Sequence, residues 1–235
     1  MTRYRRQISV IGADGQKRLE SSVVAVIGLG GLGCNAITHL ASAGIKNFII
    51  ADPQTVEISN LNRQFVYSEK DIGKRKTELS AEWIKRIDPE AEVKELRMTM
   101  DDDTVSAMDG CDVILDCLDN RVSRISLNRY ALRNRIPLVH GGAEAMIGQV
   151  TVVIPGMTPC LECLLPAASA PAPVPSISPM VGIIGSIQAM EAIKILTGKH
   201  SPLSGKLLTV DASDNIYRVI EVKKREGCVC ADLRN

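Results

Sequence analysis

The 235 residues predict an α/β fold, a mainly parallel sheet flanked by helices, with antiparallel strands towards the C-terminus. Three features carry that expectation. Residues 21–27 (SSVVAVI) form an apolar, β-branched run that stops at a glycine cluster, Gly28-Leu29-Gly30-Gly31-Leu32-Gly33. The CNAITHLASA that follows has helical spacing and meets Gly44, a residue suited to end a helix. A second apolar run, residues 47–51, then delivers Asp52. Strand, glycine turn, helix, strand and terminal acid make a Rossmann-like βαβ unit. Its strands are apolar along their whole length, as a parallel sheet covered on both faces requires.

Further elements follow in order. Residues 73–87 (GKRKTELSAEWIKRI) read as an exposed helix ending before Asp88-Pro89, and residues 92–97 as a short strand. DVIL at 112–115 is a buried strand, 121–134 a helix and 137–140 another strand. From Gly148 the regular alternation stops. QVTVVI at 149–154 precedes a proline-rich stretch, a helix over 182–197 and a terminal pair at 206–211 and 216–223, where antiparallel pairing is expected. Residues 163–190 carry no charged side chain, but Pro166, Pro171, Pro173, Pro175 and Pro179 interrupt them. That pattern predicts a stiff loop leading into a buried helix rather than one membrane-spanning helix. No repeat and no linker-like break occurs, so one domain over 1–235 is expected, with a nucleotide-binding part over about 20–145 and a C-terminal section over about 146–235.

Composition removes other classes. At 45% hydrophobic and 23% charged the chain is neither disordered nor fibrous. Twenty-eight basic against 27 acidic residues leave a net charge of +1, without a field that would draw it onto nucleic acid or anionic lipid. One Trp, four Tyr and two Phe dictate an aliphatic core and argue against base-stacking platforms. The N-terminal MTRYRRQISV lacks the apolar run of a signal peptide, so a soluble, cytoplasmic protein is expected.

The chemistry starts at the glycines. Gly28, Gly30 and Gly33 form G-x-G-x-x-G after a strand and at the opening of a helix, the context in which backbone N–H groups and the helix N-terminus receive phosphate. Asp52, 24 positions after Gly28, is placed to accept from ribose hydroxyls. A packing turn with an aspartate cap is the alternative. The loop alone does not choose a nucleotide, since an NAD-dependent oxidoreductase uses the same one. Charges elsewhere do. Asn60-Leu61-Asn62-Arg63-Gln64 follows the Asp52 strand, Lys76 opens a helix, and Asp116-Cys117-Leu118-Asp119-Asn120 ends the DVIL strand. A dehydrogenase keeps its pyrophosphate intact and needs no cations beside an acidic strand end. A reaction that expels pyrophosphate uses cations on the departing charge and a carboxylate for Mg²⁺. Taken singly, Arg63 reads as a surface ion pair, Lys76 as a solvated helix residue and Asp119 as a helix cap.

With these residues in hand, the sequence resembles the E1-like adenylating family, the ubiquitin-activating enzymes and especially the ThiF/MoeB/HesA proteins. The shared stretches are Arg3-Tyr4-Arg5-Arg6-Gln7, GLGGLG at 28–33, Asp52, NLNRQ at 60–64, Gly73-x-x-Lys76, DCLDN at 116–120, Cys160-x-x-Cys163 and GIIGSIQAMEAIK at 182–194. The resemblance implies that Gly31 lies against the phosphates and Asp52 binds ribose. It also implies that Asn60, Arg63, Gln64, Lys76 and Asn120 line the ATP site and that Asp119 serves Mg²⁺. Arg6 corresponds to an arginine that reaches the γ-phosphate of a neighbouring subunit, implying a homodimer; without the resemblance, Arg3, Arg5 and Arg6 read as a frayed basic terminus. The implied reaction is attack of a carboxylate on the α-phosphorus of ATP, giving an acyl-adenylate and pyrophosphate. The nucleophile is already ionised near neutral pH, so no general base is required.

Seven cysteines, an odd number, argue against a disulfide framework. Cys160 and Cys163, with Cys228 and Cys230, suit a tetrahedral zinc that ties the C-terminal tail to the body; reduced free thiols or a fortuitous disulfide are the alternatives. The family's second pair is usually C-x-x-C, and here it is C-x-C. Cys34, Cys111 and Cys117 read as small core residues. Some family members carry a further cysteine that takes the acyl group as a thioester, but residues 164–183 contain none.

Two substrates fit the resemblance: the C-terminal glycine of a ubiquitin-like sulfur-carrier protein threaded under the loop at 164–179, or a small-molecule carboxylic acid such as a guanylylpyridinol of iron-hydrogenase cofactor assembly. The carrier is the commoner role. An NAD-dependent oxidoreductase leaves Arg63, Lys76 and the cysteine pairs without purpose, and a non-catalytic nucleotide-binding scaffold requires Asp119 and Lys76 to be dispensable. His39, His140 and His200 are scattered singly. His140, on an apolar strand, is expected as a hydrogen-bonded core residue.

Overall fold

The computed structural model describes residues 3–165 and 175–231. In chain order the elements are α1 (Arg5–Ser21), β1 (Val23–Ile27), α2 (Gly31–Ala43), β2 (Asn47–Ala51), α3 (Lys76–Ile87), β3 (Glu92–Leu96) and β4 (Val113–Asp116). Then come α4 (Arg121–Asn134), β5 (Leu138–Glu144), β6 (Ile147–Val153), α5 (Leu161–Leu164), α6 (Ser178–Leu196), β7 (Lys206–Asp211) and β8 (Ile216–Glu221). All strands join one eight-stranded sheet in the order β3-β2-β1-β4-β5-β6-β7-β8. The pairs from β3 to β5 are parallel, and those from β5 through β8 are antiparallel. The expected architecture is therefore the one observed.

Strand order reverses between β1 and β4, the place where an open α/β sheet leaves a crevice at its carboxyl edge. Register makes this concrete. Ile27 is paired with both Ala51 and Asp116, so Gly28, Asp52 and Cys117 emerge side by side from three adjacent strands. Alternation along β1 divides the core. Val24 and Val26 pack with Leu40, Ile50 and Ile184 on one face, and Ala25 and Ile27 pack with Ile114, Leu127 and Leu138 on the other.

The differences from expectation have local causes. Residues 5–21 form a helix that its composition concealed: Gly12 breaks it with φ +80°, and only Gly15, Gln16 and Leu19 are buried. It is not a frayed terminus, because Arg3 donates to Ile87 O at 2.6 Å and Gln7 to Ala43 O at 2.7 Å. α3 starts at Lys76 rather than Gly73. The preceding residues pair with 54–56, as Lys74 O accepts from Val56 N at 2.9 Å and Gln54 O from Lys76 N at 3.2 Å. α3 is also not an exposed helix, since Lys76, Thr77, Leu79, Ser80, Ala81 and Ile84 are buried. α6 begins at Ser178, with Pro179 in its first turn, where a missing N–H costs nothing. By length and composition α6 could cross a membrane. Here it lies on the sheet, with Gln188 donating to Asp116 O at 2.9 Å and Val139 O at 3.2 Å. Pro166, Pro171 and Pro173, and the loop at 164–179 over residues 166–174, lie outside the described residues.

Candidate active site and cysteine cluster

Two glycines shape the loop between β1 and α2. Gly28 has φ +95°, and a Cβ there would sit 2.6 Å from Cys117 O; a Cβ on Gly33 would sit 2.0 Å from Gly28 O. No side chain fits either place, so the loop turns tightly and α2 starts directly against it. Gly30 caps α2 and Gly31 is its first residue. Asp52 holds the loop from β2, accepting from Leu29 N and Gln54 N, each at 2.8 Å. Tyr67 donates its phenolic O–H to Leu29 O at 2.9 Å. Burial pushes that phenol well above its usual range and keeps it a donor.

Lys76 is not the solvated helix residue of the bland alternative. It is 2% exposed, its Nζ donates to Gln54 Oε1 at 2.7 Å, and it makes no ion pair among the described residues. Asn60 and Gln64 are also buried, and Gln64 Oε1 has no hydrogen-bond partner among the described residues. The Gln64 amide nitrogen lies 3.7 Å from where a Gly30 Cβ would be, so the NLNRQ segment covers the glycine loop. Arg63 is half-buried and donates to Ser59 O and Asn62 Oδ1, both at 2.9 Å, rather than to a carboxylate. It is therefore not the surface ion pair considered above.

At the end of β4 two aspartates take different roles. Asp116 is fully buried, 2.7 Å from His140 Nδ1 and 3.6 Å from Arg124 Nε. Its Oδ1 accepts from Leu118 N at 3.1 Å, and Arg124 donates to Leu118 O and, at 3.3 Å, to Gly141 O. The peptide units around Leu118 are thus fixed from both sides. Asp119, one residue on, is exposed and partnerless among the described residues. The helix cap is Asn120, whose Oδ1 accepts from Ser123 N at 2.9 Å. His140 is the hydrogen-bonded core residue expected from its strand.

Arg6 is exposed on α1. Its neighbour Gln7 is bonded to Ala43, the last residue of α2, whereas the glycine loop lies at the first. Thirteen residues of helix separate the two ends by about 20 Å, so Arg6 is remote from the glycine loop of its own chain.

Across the sheet, the Sγ atoms of Cys160, Cys163, Cys228 and Cys230 all lie within 4.8 Å of one another. Cys160–Cys228 and Cys163–Cys230 are each 3.5 Å apart, too far for a disulfide and close to the edge of about 3.8 Å expected when four thiolates surround zinc. The C-x-C spacing still delivers both thiols. Burial opposes ionisation of Cys163, but amide donors from Arg225 and Cys160 and the adjacent thiols outweigh it and bring that thiol down to about 7. This donor set fits zinc. The α5 turn carrying the first pair is seated on α4 by Asn128 Oδ1, which accepts from Leu161 N at 3.0 Å, and by Arg129 on Glu162 at 2.9 and 3.2 Å. Cys34, Cys111 and Cys117 are buried; burial raises the first two thiols to about 12 and the third further.

The model of the ThiF family matches residues 4–230. The chain belongs to the ThiF family. It is 40% identical to the molybdopterin-synthase adenylyltransferase of Escherichia coli over 98% of this chain and 96% of that protein. It is 34% identical to the sulfur carrier protein ThiS adenylyltransferase of the same organism, over 97% and 94%. Among solved structures, E. coli MccB with MccA-N7isoAsn superposes with a TM-score of 0.89 at 23% identity, covering 98% of this chain and 75% of that one, a likeness of fold. The named relatives are adenylyltransferases, and this ThiF-family chain is an enzyme of that type.

Topology and hydrogen bonding bring Gly28–Gly33, Asp52, Gln64, Lys76 and the Asp119 loop of this ThiF-family chain to one sheet edge; Arg6 lies at the other. Reading the sequence alone missed Gln54, Arg124 and Tyr67. Gln54 and Tyr67 carry no charge, and Arg124 is one of several arginines on its helix, so spacing did not distinguish them.

Proposed function

We propose that the chain transfers AMP from ATP to the C-terminal carboxylate of a ubiquitin-like sulfur-carrier protein, with residues 1–235 acting as one adenylation domain. One observation carries the nucleotide half of this reading: the ammonium of Lys76 is buried beside the glycine loop with a neutral carboxamide as its partner. A buried cation without counter-charge is costly, and a triphosphate at the loop supplies what is missing. The names of the relatives, which include a sulfur carrier protein adenylyltransferase, support the carrier half.

In this reading the backbone N–H groups at Gly30 and Gly31 and the start of α2 receive phosphate, and Asp52 takes the ribose hydroxyls. Asn60, Arg63, Gln64 and Lys76 hold the triphosphate in line for displacement at the α-phosphorus. The positive charge of Arg63 and Lys76 grows more effective as pyrophosphate leaves, which favours the transition state over the bound substrate. Asp119, exposed and unpartnered among the described residues, would hold Mg²⁺, which supplies further charge neutralisation when bound. The carrier carboxylate attacks already ionised, so orientation and electrostatics suffice. The three cysteines outside the cluster are buried, with thiols raised by burial, which suits a product that leaves as the adenylate. The four-cysteine cluster would hold zinc in a structural role, tying the tail after β8 to α5. Arg6 would serve the site of a second copy.

Exchange of labelled pyrophosphate into ATP tests this directly. Exchange should require a carrier protein ending in Gly-Gly and fall at least about a hundredfold in Lys76→Ala and Asp119→Ala. Exchange supported by a small carboxylic acid and by no carrier would replace the substrate assignment while leaving the adenylylation intact.

A further inference from the structure

Asp52 and Lys76 belong to different elements, yet one residue joins them. Gln54 donates its N–H to Asp52 Oδ1 at 2.8 Å, accepts Lys76 N–H on its carbonyl at 3.2 Å, and accepts Lys76 Nζ on Oε1 at 2.7 Å. The two side chains differ in exposure: Lys76 is 2% exposed, and Gln54 is exposed. The carboxamide therefore ties a buried ammonium to a residue that reaches solvent.

A neutral acceptor in that place has a particular consequence. An ammonium has three donors and a full charge; a carboxamide oxygen satisfies one donor and none of the charge. A carboxylate in the same position would satisfy both and would have to be separated from Lys76 against a charge-assisted bond. Gln54 orients Lys76 without neutralising it. Its backbone bonds to Asp52 and Lys76 are independent of the side chain, so the carboxamide can swing outward while the turn stays in place.

Resting on the ATP-site reading above, we propose that Gln54 is a displaceable cover on Lys76, its side-chain oxygen holding the place of a triphosphate oxygen and yielding it when ATP enters. Gln54 is then a positioning residue that keeps a buried cation ordered and available between turnovers. The segment 54–56 with 73–76 acts as the rigid frame, and the exposed side chain is the moving part.

The full-length protein, Gln54→Glu and Gln54→Ala separate this from a structural role. Calorimetric titration with Mg-ATP and with adenosine, pyrophosphate exchange kinetics, and thermal unfolding without nucleotide are the readouts. For Gln54→Glu, the Kd and KM for ATP should rise about tenfold, from the added charge-assisted bond. Its kcat should change far less than its KM, its adenosine affinity should stay close to that of the parent, and its Tm without nucleotide should be raised. For Gln54→Ala, the Tm without nucleotide should fall while ATP binds at least as tightly as in the parent. Equal weakening of ATP binding by both variants would make Gln54 a fixed support rather than a cover. An ATP affinity in Gln54→Glu within about twofold of the parent would remove the inference altogether. Failure of the unsubstituted protein to bind ATP overturns the site reading itself, a different result from either.

Discussion

His140 and Asp116 show how burial rather than proximity decides a titration. Both are fully buried and 2.7 Å apart, and burial lowers the imidazole against the opposing pull of Asp116. Burial favours the neutral ring, in which Nδ1–H donates to Asp116 Oδ2 and Nε2 accepts from the Gln149 amide at 3.3 Å. Its folded pKa lies below the unfolded value of about 6.5. The unfolded chain therefore takes up a proton that the folded chain refuses, and the stabilisation present above that pH is lost as pH falls below it. Urea unfolding between about pH 5 and 8 should show a stability slope that His140→Asn reduces by up to about 1.4 kcal/mol per pH unit, one proton's worth. An identical slope in both proteins would mean that the imidazole titrates alike folded and unfolded, and a slope contribution of opposite sign would mean that the folded chain holds it charged. The sequence marked His140 as a core residue from its apolar strand, but its partner was not legible, because Asp116 and His140 meet only through the β4–β5 register.

Among the elements, α2 and α6 matter most to the site, since α2 starts at the glycine loop and α6 lies along it. Their approach depends on Gly185, where a Cβ would sit 2.7 Å from Leu32 O and 2.8 Å from Asn35 Cβ, both on α2. Gly185→Ala must push the helices apart, costing about 1–3 kcal/mol and lowering the Tm by about 2–10 °C. Val181 of α6 lies over Gly31, so ATP affinity should drop in the same variant. Nucleotide titration alongside thermal unfolding checks both, and an unchanged Tm would show that α6 adjusts without moving α2. Strands β1, β2 and β4 were readable because unbroken apolar runs ending in Gly28, Asp52 and the 116–120 acids leave little choice of register. α1 was not, because Gly12 and Gly15 break its pattern and its docking rests on Arg3 and Gln7 reaching residues far along the chain. Lys76 was found by its place in a motif, whereas Gln54, which determines its surroundings, bears no charge and follows no spacing rule.

At the scale of the whole molecule, the residues proposed for the site divide between two ends of one sheet. Gly28, Asp52, Lys76 and Asp119 occupy the carboxyl edge, and α1 with Arg6 packs where α2 and α3 finish, on Ala43 and Ile87. If Arg6 contributes to catalysis, it does so in another copy, because α2 alone spans about 20 Å between those ends. A symmetric dimer then forms two composite sites, each taking Lys76 from one chain and Arg6 from its partner. Arg6→Ala and Lys76→Ala should each be inactive as pure proteins. Mixed in equal amounts and allowed to exchange subunits, half of the dimers are mixed, and each mixed dimer holds one site with both residues intact. Pyrophosphate exchange should return to about a quarter of the unsubstituted level on mixing. Sedimentation equilibrium should show a dimer throughout. A mixture that stays inactive while subunit exchange is demonstrated would place Arg6 outside the reaction and leave Lys76, Arg63 and Asp119 to act within a single chain.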